Sequence, residues 1–433
     1  MRHCLTLLLI VITLNIHAQT NTDSLAKDVS DIKKKMLLMN WINKFNLSGY
    51  LQVQYQHADT AGAKSFAGGD FPVAAADRFI IRRGRVKLEF TNKNKKDLVN
   101  VYANVMVNFT ETGINLVEYY GKVVDPFVNW VALTAGMQFR PFGHEEQYSD
   151  ARRESPDLAR MSQIILPKER DLGFMLTIEP PKTFKYNFFK INAGIFNGTG
   201  LGNTSISGRK DFIGQIVVHH EFLNKHLSIS GGASYYYGGV LQSTPSYYNV
   251  EPDAAGIMRY TKHTDSTGMG QRYFKREYIG LDAQMRADYS IFHTIVRGEY
   301  IWGKEPGTAS NNATPIALGT DIYNRQFNGA YFYFIQGFHD NKHNIVHELT
   351  FKYDFYNPNT QVNDKNLSST IDAKTSTADI KYQTFGIGYN IVPIKYFKFM
   401  IYYDIVRNDI TGITGYTRDL KDNVLTVRTQ FSF

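Results

Sequence analysis

The chain has a single cysteine, Cys4, and past residue 18 it has no uninterrupted apolar run near the roughly 20 residues that a spanning helix needs. The second absence excludes a helical membrane protein. The first excludes a disulfide in the mature chain, because Cys4 precedes the apolar run Leu5 to Leu14 and is expected to leave with it, which also rules it out as an acylation site. Arg2 and His3, that run and the following "NIHAQT" have the layout of a secretory signal peptide cleaved after Ala18, so residues 1–18 are expected to be removed on export. A clustered basic face is missing too. The formal charge of +8 is scattered along the chain, so nucleic acid is not an expected partner.

What is present is aromatic and alternating. Tyr and Phe number 28 and 29, yet hydrophobic residues make up only 43%, a mixture that suits strands with one apolar and one polar face. In "NLSGYLQVQYQ", Leu47, Gly49, Leu51, Val53 and Tyr55 oppose Ser48, Tyr50, Gln52, Gln54 and Gln56. The same period of two recurs in "VYANVMVNF", "DLGFMLTIE", "YIGLDAQMRADY", "FKFMIYYDIV" and the final "TVRTQFSF", and about sixteen such segments are predicted from Asn46 to Phe433. Links after even-numbered segments are short, as in "KNKKD", "DPFVN", "LNK", "DNK" and "VPIK". Most of the others are long, among them residues 58–77, 140–170, 239–272, 303–326 and 357–378, with a brief link near 111–114 as the exception. Short turns on one side and long loops on the other mark an all-β transmembrane antiparallel barrel of the outer membrane. The last segment then pairs with the first, so that neither is an exposed edge. A soluble sandwich or propeller would alternate without that asymmetry. Trp130, Tyr235 to Tyr237, Tyr331 to Phe334 and Tyr402 to Tyr403 are available for interfacial girdles.

Ahead of the barrel (45–433), residues 19–44 carry Leu25, Val29, Ile32, Met36 and Met39 at steps of four, three, four and three, which predicts a short periplasmic helix with a heptad seam or an amphipathic face.

Sixteen strands enclose an aqueous channel, so its lining decides function. In "RFIIRRGRVKLEF", Gly84, Val86, Leu88 and Phe90 share one parity, which points Arg83, Arg85 and Lys87 into the lumen as a basic column. Arg82 shares the apolar parity and requires a bulge, a rim position or a subunit contact, since a lipid-facing arginine at mid-depth costs about 2 to 4 kcal/mol. By the same parity Lys122, Arg286, Arg297 and Arg428 face inward, as do Asp171, Asp282, Asp288 and Glu299. Rings of Arg and Lys select anions. The link "RPFGHEEQYSDARRESPDLARMSQIILPKERD" is predicted to fold inward as a constriction, with Arg140, Arg152, Arg153, Arg160, Lys168 and Arg170 set among acids that include Glu145 and Glu146.

"NLSGYLQVQYQ", "RFIIRRGRVKLEF", "GMQFRPFGHEE", "ERDLGFML" and "NAGIFNGTG" together resemble the phosphate-selective porin O and P family of Gram-negative outer membranes. The resemblance implies a trimeric sixteen-stranded barrel with an inward third loop and anion-binding lumen cations, Arg83 and Arg85 matching its basic column. The expected function is an outer-membrane diffusion channel for small anionic or polar solutes such as phosphate. The alternatives are a general non-selective porin or, from another class, an adhesin or enzyme barrel. No catalytic residue, metal or cofactor is assigned. His339, His343 and His347 straddle a predicted turn, and "NGTGLG" lacks the strand-to-helix setting of a nucleotide site.

Overall fold

The computed structural model describes residues 22–64, 69–94, 98–167, 169–182, 184, 186–202, 207–313, 318–370 and 374–433. The expected signal peptide and Lys168 lie outside the described residues. Two units are present, residues 1–46 and 47–433.

The first unit carries helix α1 (Thr22–Ile42). Of the predicted seam, Val29, Ile32, Met36 and Met39 are exposed, so this part of the face is not buried by the helix's own unit.

The second unit is a barrel. Its strands in chain order are β1 (Phe45–Ala58), β2 (Asp77–Lys93), β3 (Val99–Thr110), β4 (Gly113–Val124), β5 (Val131–Phe139), β6 (Arg170–Ile178), β7 (Phe189–Phe196), β8 (Asp211–Phe222), β9 (Leu227–Leu241), β10 (Ser246–Pro252), β11 (Met258–Thr264), β12 (Tyr273–Tyr289), β13 (Phe292–Gly307), β14 (Ile322–Asp340), β15 (Ile345–Asn357), β16 (Tyr382–Ile394), β17 (Phe397–Asn408) and β18 (Val424–Ser432). Sixteen of them form a closed antiparallel wall in which β9 pairs directly with β12, while β10 and β11 make a separate hairpin in the intervening loop. The sequence pattern predicts only a long link over residues 239–272, so this hairpin is an addition to it. Its β10 runs parallel to the start of β14 at Tyr247↔Ile322 and Tyr248↔Tyr323.

Closure is as expected. β18 lies antiparallel to β1 from Tyr50↔Ser432 to Ala58↔Val424, and Gly49 and Phe433 exchange backbone hydrogen bonds of 3.1 and 3.0 Å. No edge is left at this seam for another chain to extend. The brief exception among the loops is also real, because only Glu111 and Thr112 separate β3 from β4.

Along each strand an apolar residue that faces out alternates with one that faces in. Leu51, Leu88, Leu133, Phe174, Ile216, Leu281, Phe332, Phe351, Ile387, Ile401 and Phe431 stand exposed on the outside. The aromatic clusters therefore split by parity. Tyr235, Tyr237 and Phe332 are exposed, whereas Tyr236, Tyr331, Tyr333 and Tyr402 are buried inside, which corrects the expectation that whole clusters belong to the outer girdle.

Candidate functional site

The link between β5 and β6 turns into the lumen and includes helix α2 (Arg160–Ile165). It enters at Gly143, whose φ of +64° is left-handed, with a packing position where a Cβ would overlap the Glu299 carboxylate. Glycine is required here on both counts. Phe142 packs edge-on against Tyr236 and Tyr278, and Met161 lies so close to Gly329 that a side chain there would collide with it. Phe142, Ala159, Met161, Ile165 and Leu166 join Phe196, Ile213, Ile301 and Phe327 in one buried apolar cluster. This cluster fastens the loop to one side of the wall.

Polar contacts fix the backbone. Gly143 N–H donates to Ser234 Oγ at 3.0 Å, and the N–H groups of His144 and Glu145 donate to Glu299 Oε2 at 3.2 and 3.1 Å. Glu145 accepts from Ala159 N–H at 3.0 Å, Ser162 Oγ at 2.6 Å and Tyr333 OH at 3.1 Å. It is thus a brace within the loop and not a lining acid.

The middle of the loop reaches the opposite wall. Gln52 donates to Asp150 O at 3.1 Å, Gln430 to Ala151 O at 3.1 Å, Asn390 to Glu154 O at 3.0 Å, and Lys398 Nζ to Ala151 O and Arg153 O at 3.1 and 2.9 Å. At this level Gln52, Gln54, Arg83, Arg85, Asn390 and Arg428 are all buried, so the loop packs against this side of the wall and narrows the lumen.

Charge at this junction is unequal. Asp150 takes ion pairs from Arg83 Nε at 3.3 Å, Arg153 Nη1 at 2.8 Å and Arg85. Asp157 takes them from Arg82 Nη2 at 2.5 Å, Arg83 Nη2 at 3.5 Å and Arg428 Nη2 at 3.8 Å. Five guanidiniums therefore converge on two carboxylates, with the Lys398 ammonium held beside them by carbonyls. Burial raises the Asp157 carboxyl, but Arg82, Arg83 and Arg428 outweigh it and hold the group at about 2. The same contest leaves Asp150 well below its ordinary value, with Arg83 and Arg85 opposing its burial.

The adjacent residues Arg82 and Arg83 both reach Asp157, so strand alternation slips by one between them. Phe79 remains exposed outside while Arg78 donates to the buried Gln56 at 2.9 Å. This is the excuse that Arg82 required: it faces inward, away from the apolar side.

The remaining predicted residues divide. Lys87 pairs with Glu89 at 2.7 Å and, with Arg85, Arg152, Arg170 and Tyr50, lines a cavity of about 460 Å³ on the short-turn side of the loop. Arg152 is exposed there and makes no ion pair among the described residues. Arg170 is neutralised by Glu118 at 2.9 Å and by Glu169, and Arg297 by Glu154. Arg140 donates to Pro167 O at 3.1 Å, and the Arg160 guanidinium sits 3.6 Å from the centre of the Tyr382 ring. Lys122 lines a second cavity of about 460 Å³ with Tyr102, Tyr120 and Glu179. Arg286 bonds Asp288 at 2.8 Å at the short-turn end of β12, far from the junction in sequence and joined to none of its residues by a described ion pair. Glu146 is buried, and neither carboxylate oxygen has a hydrogen-bond partner among the described residues. Sequence reasoning missed Asp150 and Asp157 as the hubs, and Lys398 and Gln52 as the loop's far anchors. Their signal was an acid in a long loop facing a basic column, which names a sign but no partner.

The chain matches no protein-family model and no curated relative. Among solved structures it is similar to OprB of Pseudomonas putida, with 10% identity, a TM-score of 0.58 and coverage of 92% of this chain and 96% of that one. It is also similar to the outer membrane channel DcaP of Acinetobacter baumannii, with 13% identity, a TM-score of 0.53 and coverage of 90% and 97%. The trimer form of OmpT, an outer membrane protein of Vibrio cholerae, matches at 9% identity with a TM-score of 0.52 and coverage of 90% and 99%. At identities this low, the structural likeness shows the shared fold alone.

Proposed function

We propose that the chain is an outer-membrane porin, a diffusion channel whose lumen prefers anions. The reading rests on one observation, the convergence of Arg82, Arg83, Arg85, Arg153 and Arg428 on only Asp150 and Asp157 where the loop meets the wall. Surplus guanidinium charge in a narrow, low-dielectric passage attracts anions and repels cations. Exposed Arg152 extends the positive field into the cavity below. Phosphate is the narrower candidate solute, because guanidinium forks match its oxygens.

The location follows from the same account. The apolar outside would face lipid, the short turns and α1 the periplasm, and the long loops the exterior. The exposed seam of α1 fits a homotrimer in which three such helices pair with one another, and the trimer form of the Vibrio cholerae neighbour supports that assembly. No enzymatic role is assigned.

The test is a planar-bilayer recording in a KCl gradient. A reversal potential of anionic sign is expected, moving toward zero in the Arg83→Ser, Arg85→Ser double variant, and millimolar phosphate should reduce chloride current. A cationic reversal potential overturns the selectivity, and absence of conductance overturns the channel.

A further inference from the structure

One stretch of the outer wall breaks its apolar pattern. β12 and β13 share a ladder from Tyr289↔Phe292 up to Glu277↔Lys304 and then part. β12 continues to Tyr273 beside β9, and β13 continues to Gly307 beside β14. The parting leaves a cleft of about 450 Å³ at the long-loop end, with Arg272, Lys275, Lys304, Asn324 and Gln326 in its lining.

The side chains at its mouth are graded along the strands. On β12, Lys275 follows Leu281, Ile279 and Glu277 on the outward parity; on β13, Lys304 follows Tyr300 and Trp302. Lys304 thus caps an aromatic outward column, and Lys275 with Glu277 caps an apolar one. Lys275 Nζ lies 2.8 Å from Glu277 Oε2, whose other oxygen accepts from Tyr235 OH at 2.7 Å. Lys304 is exposed and makes no ion pair among the described residues. The Arg209 guanidinium lies 5.2 Å from the centres of the Tyr237 and Tyr273 rings, and that of Arg272 lies 5.4 Å from Tyr247. Cations backed by tyrosine and tryptophan at the upper margin of an apolar band mark the depth at which lipid head groups sit.

We propose that this cleft, on the outside of the barrel, binds the phosphorylated head group of an outer-leaflet glycolipid. Its acyl chains lie against Ile279 and Leu281 while Lys275 and Lys304 take the phosphate and the amides of Asn324 and Gln326 meet sugar hydroxyls. A free anion would gain nothing from the apolar column below, whereas a glycolipid engages both levels. The inference rests on the reading of the barrel as an outer-membrane protein, and it concerns the lipid face alone, not the lumen.

The full chain in detergent, followed by native mass spectrometry with diphosphoryl lipid A and with the same lipid stripped of phosphate, tests it. Replacing each lysine by glutamine should weaken binding of the phosphorylated lipid about fivefold, and the Lys275→Gln, Lys304→Gln double variant roughly 25-fold. The stripped lipid should bind the native chain no better than the phosphorylated lipid binds the double variant. Equal retention by native and double-variant protein, or equal binding of the two lipids, overturns the proposal. Conductance of the same preparations separates this from the channel reading. Intact conductance without phosphate-dependent binding defeats only the lipid site, and phosphate-dependent binding without conductance defeats only the channel.

Discussion

Single side chains in the infolded loop carry opposite responses to acid. His144 is held down to about 4, mainly by burial with the Arg297 charge adding to it and Glu154 partly offsetting it, so the imidazole is neutral when the loop is seated. An unfolded histidine charges near 6.5. Its contribution is therefore complete above about pH 6.5 and falls as pH drops toward 4, by on the order of 2 to 3 kcal/mol. Glu146 runs the other way. Burial and the Glu169 charge push its carboxyl well above the usual range against Arg140, so ionised Glu146 weakens the seated loop at neutral pH. Glu146→Gln should raise the melting temperature at pH 7, with the gain vanishing below about pH 4, where the carboxyl is protonated in both states. Melting curves of His144→Gln and Glu146→Gln between pH 4 and 8 check both signs. Asp150 is the sharper test. Asp150→Asn leaves Arg83, Arg85 and Arg153 without their shared acid, and breaking such a buried pair costs about 3 to 5 kcal/mol. We expect single-channel conductance in that variant to rise and fluctuate as the loop leaves its seat.

At the scale of elements, the loop behaves as a strut with two kinds of fastening: an apolar one against β7 to β9 and β12 to β15, and a polar one, ionic at β2 and β18 and hydrogen-bonded at β1 and β17. Gly143→Val removes the left-handed corner and drives a side chain into Glu299, so it should release the apolar end while leaving Arg83 and Asp150 intact. Faster proteolysis within residues 144–158, with unchanged migration of the folded barrel on gels, is the expected outcome. Barrel strands were legible because lipid-side and lumen-side demands impose a strict period of two, and the first starts at Phe45, beside the expected Asn46. The hairpin β10 and β11 was not legible, since "SYYNVEP" and "MRYTKHT" touch the wall only at the start of β14 and through a buried cluster, and no lipid-facing side imposes alternation on them. Parity gave the direction of Arg83, Arg85 and Arg428 but not their partners, because Asp150 and Asp157 reach them from a loop that carries no periodic signal. The slip at Arg82 escaped alternation for the reason that makes it useful: a bulge is a local departure from the period itself.

For the whole molecule, a closed hydrogen-bonded cylinder has no weak edge from which to unzip. The barrel should therefore resist dodecyl sulfate until heated and migrate faster on gels before boiling than after. Absence of that shift would mean that β1 and β18 do not close in solution. The seam between Tyr50↔Ser432 and Ala58↔Val424 joins the first strand of the wall to the last. Construction is thus unfinished until β18 arrives, and every earlier state is an open ribbon with two unsatisfied rims. Whatever escorts the nascent polypeptide to its destination must shield both rims at once, and a message truncated before Val424 would yield a perpetual intermediate rather than a shorter vessel.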